Sequence, residues 1–319
     1  MRYSFIEQHR HQHAVGLQCR VLGLSVSGYY AWRGRPQSQR AQQNRQLEVR
    51  IRAVFEQHRH RYGSPRVQRE LRDQGFSCSR KRVARLMRKA GLRARPKRRF
   101  QRTTDSSHRY PVALNHLARC FSTQQVEGLN RVWAGDITYL ATSQGWLYLA
   151  VLLDLHSRRV VGWAMENTLE QDLTRQALER ALALRQPSAG LLHHSDRGSQ
   201  YAATDYQRQL ARQGIVCSMS RKGRVPTGRD WDNAPVESFF ATLKAELVSE
   251  FNGCFQSRQQ ARQAVGHYIE SYYNQQRRHS ALGYRSPVDF EKQQALTTRA
   301  YTYPLPNWGN SNSTSSHKQ

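Results

Sequence analysis

A mixed-sheet α/β domain preceded by an all-α region is the fold class this sequence predicts. Three observations carry the prediction. First, the charge is uneven. Residues 1–128 hold 28 Lys and Arg against 7 Asp and Glu, a net of +21, whereas residues 129–319 hold 22 against 16, a net of +6. Second, apolar residues before 130 recur at helical spacing. Third, the chain after 130 alternates short apolar strand patterns with amphipathic helix patterns.

The elements follow in order. Residues 15–33 read as a short apolar helix stopped at Gly23, with Ser25 or Ser27 opening a second. Leu47, Ile51, Val54 and Phe55 share one face of a longer helix. Ser64-Pro65 opens the next, with Val67 and Leu71 on its apolar side, and Gly75 stops it. Ser77 or Ser79 opens a third, whose Val83, Leu86 and Met87 face inward while Arg80, Lys81, Arg82, Arg85, Arg88 and Lys89 face out. Helix, helix, short turn and basic helix is the plan of a helix-turn-helix that reads DNA. From Arg80 to Arg102 stand twelve Lys and Arg and no acid. The arm containing Lys97, Arg98 and Arg99 is expected to trail along phosphates.

Residues 131–165 predict three antiparallel strands, at about 131–140, 146–153 and 159–165. "LEQDLTRQALERALALR" is an amphipathic helix, "LLHHSD" a short buried strand, "TDYQRQLARQG" a helix closed by Gly214, and "IVCSMS" a last strand. Helices follow at 235–248 and across "SRQQARQAVGHYIESYYNQQ". Three antiparallel strands, then helix–strand–helix–strand, then helices, is the order of a ribonuclease H-like sheet. The expected organisation is an N-terminal helical region (1–44), a helix-turn-helix with its basic arm (45–100), a linker (101–128), the mixed-sheet core (129–295) and a disordered tail (296–319).

The composition limits what such a chain does. A formal net charge of +27 calls for a polyanion, and nucleic acid is the default partner. The five cysteines are scattered without a CxxC pair, so neither a zinc finger nor a disulfide framework follows, and a reducing cytosol fits. No apolar run reaches the ~18 residues of a membrane span. No signal-peptide core opens the chain, and no GKS/T phosphate loop points to ATP.

Three acids stand out. Asp136 sits mid-strand on the face of Val132, Ala134 and Thr138, where an acid is costly unless paired or bound to a cation. Asp196 ends the run "LLHHSD", at the carboxyl end of a strand, where open α/β sheets place their sites. The third comes from "RDWDNAPVESFF", which offers Asp230, Asp232 and Glu237. Pro235 favours a helix start there, and Val236, Phe239, Phe240, Leu243 and Leu247 form its buried stripe. Glu237 borders that stripe, and Lys244, seven residues on, shares its azimuth. Asp232 precedes the helix, where it would cap. Each acid also has a plainer reading: a strand-end ion pair, a turn Asp, a first-turn Glu favoured by the helix dipole. Together, three carboxylates suit a pair of Mg²⁺ ions, with Mn²⁺ able to substitute, which activate water and stabilise a leaving oxygen in phosphoryl transfer.

"DITYL", "HHSDRGSQY", "NAPVESFFATLKAEL" and "YYNQQRRHSALGYRSPVDF" resemble the integrase-type core of bacterial insertion-sequence transposases. The resemblance is to the second-frame (OrfB) product of the insertion-sequence-three family, and it reaches from "MRYSFI" to "SPVDF". It implies a catalytic, metal-binding triad of Asp136, Asp196 and Glu237, and contact of Lys244 with transposon-end DNA. It also implies Mg²⁺-dependent cleavage at terminal inverted repeats, after which the freed 3′-OH attacks another phosphodiester, in a terminal repeat or target DNA. A first-frame (OrfA) partner, joined by frameshifting, a homo-oligomer on DNA, and a cytoplasmic, nucleoid-associated location are implied as well. One departure stands out. Between Asp196 and Glu237 lie 40 residues, about five more than the family's usual spacing, with "RVPTGRD" intervening; the usual count would land on Asp232. Arg224 and Arg229 of that insertion either touch DNA or the insertion loosens the helix of Glu237.

Two alternatives compete with an active transposase: a catalytically degraded copy that only binds DNA, and a general ribonuclease H-type nuclease. The intact acids weigh against the first, the basic helix-turn-helix against the second.

Overall fold

The computed structural model describes residues 2–36, 38–95, 110–221 and 231–302. The chain divides into two compact units, Met1–Ala94 and Arg95–Gln319.

The first unit is all helical: α1 Arg2–His9, α2 Val15–Val21, α3 Val26–Gly34, α4 Gln39–Gln57, α5 Ser64–Asp73 and α6 Arg80–Lys89. The caps fall where short hydroxyls stand. Ser25 accepts from Gly28 N, Ser38 from Ala41 N, and Ser79, not Ser77, from Arg82 N. Gly23 and Gly75 adopt positive φ at the ends of α2 and α5. Leu47, Ile51, Val54 and Phe55 of α4 are buried with Val67 and Leu71 of α5 and Val83, Leu86 and Met87 of α6. This is the apolar core the helical spacing predicts.

The second unit is built on a five-stranded sheet of order β3-β2-β1-β4-β5. The strands are β1 Val132–Thr142, β2 Gly145–Asp154, β3 Val160–Glu166, β4 Leu192–Ser195 and β5 Val216–Met219. The first three are antiparallel, and β4 and β5 join β1 in parallel. This is the ribonuclease H-like mixed sheet. Between strands run α7 Gln171–Arg185, α8 Ser199–Ala202 and α9 Thr204–Arg212. One face packs Trp133, Leu152 and Val161 against Leu173, Ala177 and Leu178 of α7 and Leu210 of α9. Beyond β5 come α10 Ala234–Glu246, α11 Arg258–His267 and α12 Pro287–Thr302, with α10 packed on β1 and β2. α12 passes residue 296, where the sequence suggested a tail; the next breaker is Pro304.

The α7 contact depends on a missing side chain. A Cβ at Gly162 would overlap the Ala177 carbonyl and stand 2.7 Å from Ala181 Cβ. Gly162→Ala is therefore expected to cost about 1–3 kcal/mol by overpacking, read as a lower denaturant midpoint at constant m; an unchanged midpoint contradicts the close packing.

Candidate active site

Strand register brings the first two acids together. Gly135 of β1 pairs in parallel with Ser195 of β4, so the next residues, Asp136 and Asp196, lie side by side at the carboxyl end of β4. Asp136 is buried and Asp196 partly buried. Asp136 Oδ1 accepts from Ile137 N at 2.8 Å, and Asp196 Oδ1 from Gly198 N at 2.9 Å. Gly135 is tightly surrounded: a Cβ would lie 3.1 Å from Leu152 Cδ2, 3.2 Å from His193 Nε2 and 3.3 Å from Tyr201 Cε1.

The third acid arrives on α10. Val236, Phe239, Phe240, Leu243 and Leu247 are all buried, as the stripe predicts, and they leave Glu237 and Lys244 half-buried at its border. Lys244 Nζ stands 5.6 Å from the Tyr139 ring centroid. The other three charged groups all act on Asp136. Burial pushes the Asp136 carboxyl well above the usual carboxylate range, and the charges of Asp196 and Glu237 push it further. The Ile137 N–H and Lys244 pull the other way. Burial lowers Lys244, and Asp136 opposes that. Asp196, Glu237 and Lys244 are thus all within electrostatic reach of Asp136.

This donor set fits a hard divalent cation. Three carboxylates offer oxygen ligands, and Asp136 is driven toward its neutral form by burial first and by the other two next, a penalty a cation relieves. Among the described residues no three His, Cys, Asp or Glu side chains are already grouped closely enough to hold a metal ion. Asp136 and Asp196 follow directly on the paired residues Gly135 and Ser195.

A raised pKa links the site to stability. The folded chain keeps the Asp136 proton at a pH where the unfolded chain has lost it. That contribution is full below about pH 4 and is lost as pH rises through the raised value. Asp136→Asn keeps the neutral form. It should therefore gain melting temperature over wild type as metal-free samples go from about pH 5 to 8, and Mg²⁺ should cancel the gain. A difference independent of pH contradicts the placement of Asp136.

Asp232 departs from expectation. It lies in a 3₁₀ turn, Trp231–Asn233, and does not cap α10. Its carboxylate is claimed by arginines instead. It accepts from Arg119 Nε at 2.6 Å, from Arg221 N at 3.0 Å and Nε at 3.1 Å, and from Asn115 Nδ2 at 3.1 Å. Burial alone would raise its pKa, but the hydrogen bonds from Arg221 and Arg119 outweigh burial and hold it well below the usual range.

Sequence reasoning assigned no role to the two histidines before Asp196. Burial pushes His193 down to about 3, with His194 adding to the effect, and pushes His194 down to about 4. Both are neutral near pH 7 and act as hydrogen-bonding parts. His193 Nε2 meets Tyr206 Oη at 3.0 Å. His194 Nε2 lies 2.8 Å from the Asp232 carbonyl, which can only accept, so Nε2 carries the proton, and Nδ1 at 2.9 Å accepts from the Ser218 hydroxyl. The doubled His in an apolar strand was the available signal.

On α6, Arg80, Lys81, Arg85, Arg88 and Lys89 are exposed, as expected. Arg82 is the correction: it is half-buried, and its Nε donates to Asn44 Oδ1 of α4 at 2.9 Å. Arg40 and Arg45 of α4, which the sequence did not single out, line a groove of ≈ 580 Å³ with Arg85, Lys89 and Glu48. Lys97, Arg98, Arg99, Arg224, Arg229 and Asp230 lie outside the described residues.

The comparisons agree with this layout. Residues 42–100 match the family model of an HTH-like domain, and residues 127–225 and 218–287 match models of an integrase core domain. The InsF transposase of insertion sequence IS3A from Escherichia coli K12 is 43% identical over 293 residues, 91% of this chain and 98% of its own. A 31 kDa protein of insertion element IS600 from Shigella sonnei is 43% identical over 86% of this chain and 97% of its own. The HTLV-2 integrase catalytic core domain, solved with magnesium, covers 52% of this chain and 98% of its own at 17% identity and a TM-score of 0.40.

Proposed function

Since this chain belongs to the IS3 family of insertion-sequence transposases, we propose that it cuts DNA at the ends of its element and joins the freed 3′-OH to another phosphodiester. The observation that carries the proposal is that β1, β4 and α10 bring Asp196, Glu237 and Lys244 close enough to act on the buried Asp136 at the sheet's carboxyl edge. Asp136, Asp196 and Glu237 would hold the divalent ions, Mg²⁺ or Mn²⁺. Bound ions supply an activated attacking oxygen and stabilise the leaving one. The chain's own residues do the rest. Burial of Asp136 makes cation binding and its deprotonation one event. Lys244 brings a positive charge on a half-buried stem beside the acids, suited to a phosphate of the terminal DNA. The exposed cations of α6, with Arg40 and Arg45, supply backbone grip.

That grip has a measurable signature. Arg85→Ala should weaken binding to any duplex and flatten the slope of log affinity against log salt by about 0.9, one phosphate contact. An unchanged slope removes Arg85 from the interface.

The partners follow from the chemistry. Two element ends must meet, so the chain is proposed to act as a homo-oligomer on DNA, with a first-frame product completing end recognition, in the cytoplasm at the nucleoid. No described helix is long and apolar enough to cross a membrane.

The test is incubation of the purified chain, with and without first-frame product, with Mg²⁺ and three substrates. These are a duplex ending in the element's inverted repeat, an unrelated duplex, and an RNA–DNA hybrid. Cleavage confined to the repeat end supports the proposal. Cleavage of any hybrid shows a general nuclease, and binding without cleavage shows a degraded copy.

A further inference from the structure

We infer that the dipeptide Asp232-Asn233 is the joint that fixes Glu237 relative to Asp136 and Asp196, with His194 and Asn233 as its positioning residues. The inference deepens the reading of those three acids as the metal-binding triad and rests on it.

Two hydrogen bonds make the joint. Asn233 Nδ2 donates to the Gly135 carbonyl at 3.0 Å, one residue before Asp136 on β1. His194 Nε2 donates to the Asp232 carbonyl at 2.8 Å, two residues before Asp196 on the β4 side. Helix α10 starts at the next residue, Ala234. Glu237 follows Asn233 by four residues and lies in the first turn of α10. The start of the helix carrying the third acid is thereby bonded to both strands that carry the other two.

Asn233 shows that this arrangement has precedence over local convenience. It occupies the N-cap position, where an Asn side chain ordinarily accepts from the first turn, yet it makes no capping bond. Its amide is spent on β1, and its buried Oδ1 has no partner among the described residues. His194 is braced in turn. Ser218 Oγ accepts from His116 N at 3.0 Å and Leu117 N at 3.3 Å, so its own proton is free to go to His194 Nδ1.

The joint also answers what the extra residues before Glu237 do to the site. The Asp232 carboxylate accepts from both Arg221 N and Arg221 Nε. Arg221 and Asp232 are thus bonded to each other, and the Asp232 carbonyl is bonded to His194 of β4. On the inference, a change of chain length between Arg221 and Asp232 leaves the position of Glu237 unchanged.

The test compares metal-free full-length variants by three readouts: Mn²⁺ affinity by electron paramagnetic resonance, DNA affinity without metal, and the Mg²⁺ concentration giving half-maximal end cleavage. Asn233→Ala and His194→Leu are each expected to weaken Mn²⁺ binding about tenfold, the low end for residues that orient metal ligands. The Mg²⁺ midpoint should rise in step while DNA affinity stays within about twofold. His194→Gln, which returns a donor near the Nε2 position, should recover Mn²⁺ binding to within about threefold of wild type. Deleting Val225–Arg229 should leave Mn²⁺ binding within the same range. Wild-type Mn²⁺ affinity in Asn233→Ala and His194→Leu overturns the inference and leaves the triad standing. A parallel loss of DNA affinity that His194→Gln does not repair also overturns it, showing a packing role. Weakened Mn²⁺ binding in the deletion overturns the independence of Glu237 from that length. A wild-type chain that neither binds Mn²⁺ nor cleaves overturns the triad reading itself.

Discussion

Glu237→Gln is expected to lower end cleavage by about three decades, ~4 kcal/mol of transition-state stabilisation, while DNA affinity stays within about twofold. The carboxamide keeps the shape of the side chain, and the apolar stripe that seats α10 is untouched, so the fold should be intact. What disappears is one negative oxygen donor from the field that Asp136 reports. Asp232→Asn is the control. Asp232 is two residues from the start of α10 and is as buried as Asp136, but its oxygens are engaged by Arg119, Arg221 and Asn115. Its carboxamide keeps the backbone carbonyl that His194 holds; it gives up one acceptor among Arg119, Arg221 and Asn115, and the two arginines have side chains more than half exposed. The expected loss is below about tenfold, in line with the modest worth of ion pairs with exposed partners. Equal losses from the two variants would remove the distinction between ligand and clamp.

The largest stability effect is expected at Arg277. Its side chain is 2% exposed and forms a bidentate pair with Glu246, Nη2 to Oε1 at 2.7 Å and Nε to Oε2 at 2.8 Å, and Tyr268 Oη also donates to Oε2 at 2.9 Å. Glu246 is the last residue of α10, so this pair anchors the far end of the helix whose near end carries Glu237. Arg277→Ala strips a buried carboxylate of its bidentate cation, and breaking a buried pair from one side costs about 3–5 kcal/mol. Arg277→Met with Glu246→Leu removes both charges and should recover most of that loss, since well-packed apolar replacements of buried pairs are often neutral or better. Denaturant midpoints decide it. A double variant as unstable as Arg277→Ala would show that the packing of Arg277, not its charge, is what α10 needs.

Periodicity made much of this legible. Alternation in "RVWAGDITYL" placed Asp136 on an inward face, the end of "LLHHSD" placed Asp196 at a strand terminus, and Pro235 with the stripe from Val236 to Leu247 placed Glu237 at a core edge. Those features are local, and local pattern is what a sequence displays. The parallel pairing of Gly135 with Ser195, which sets the first two acids side by side, joins residues 60 positions apart and has no local trace. Helical spacing turns Arg82 outward because it cannot see Asn44 on another helix. Asp232 was read as a cap because a short acid before a helix usually is one; Arg119, more than a hundred residues upstream, outbid the helix for it. Arg277 and Glu246 are charged residues in sequence and core residues in space, and only mutual pairing lets them be so. Asn274 is a further case: its side-chain amide bonds both the N–H and the C=O of Val160, each at 3.0 Å, extending the edge of β3 from a residue that carries no strand pattern.

The central claim is that Asp136, Asp196 and Glu237 perform polynucleotidyl transfer, and strand joining isolates that step. A duplex carrying the element's terminal repeat, already cut to a free 3′-OH, would be incubated with the purified chain, first-frame product, Mg²⁺ and a supercoiled plasmid. The expected result is covalent joining of the labelled 3′ end to plasmid DNA, dependent on Mg²⁺ and lost in Asp136→Asn, Asp196→Asn and Glu237→Gln alike. Stable binding of the duplex with no joined product, or joining that survives any one of those three substitutions, would contradict the claim.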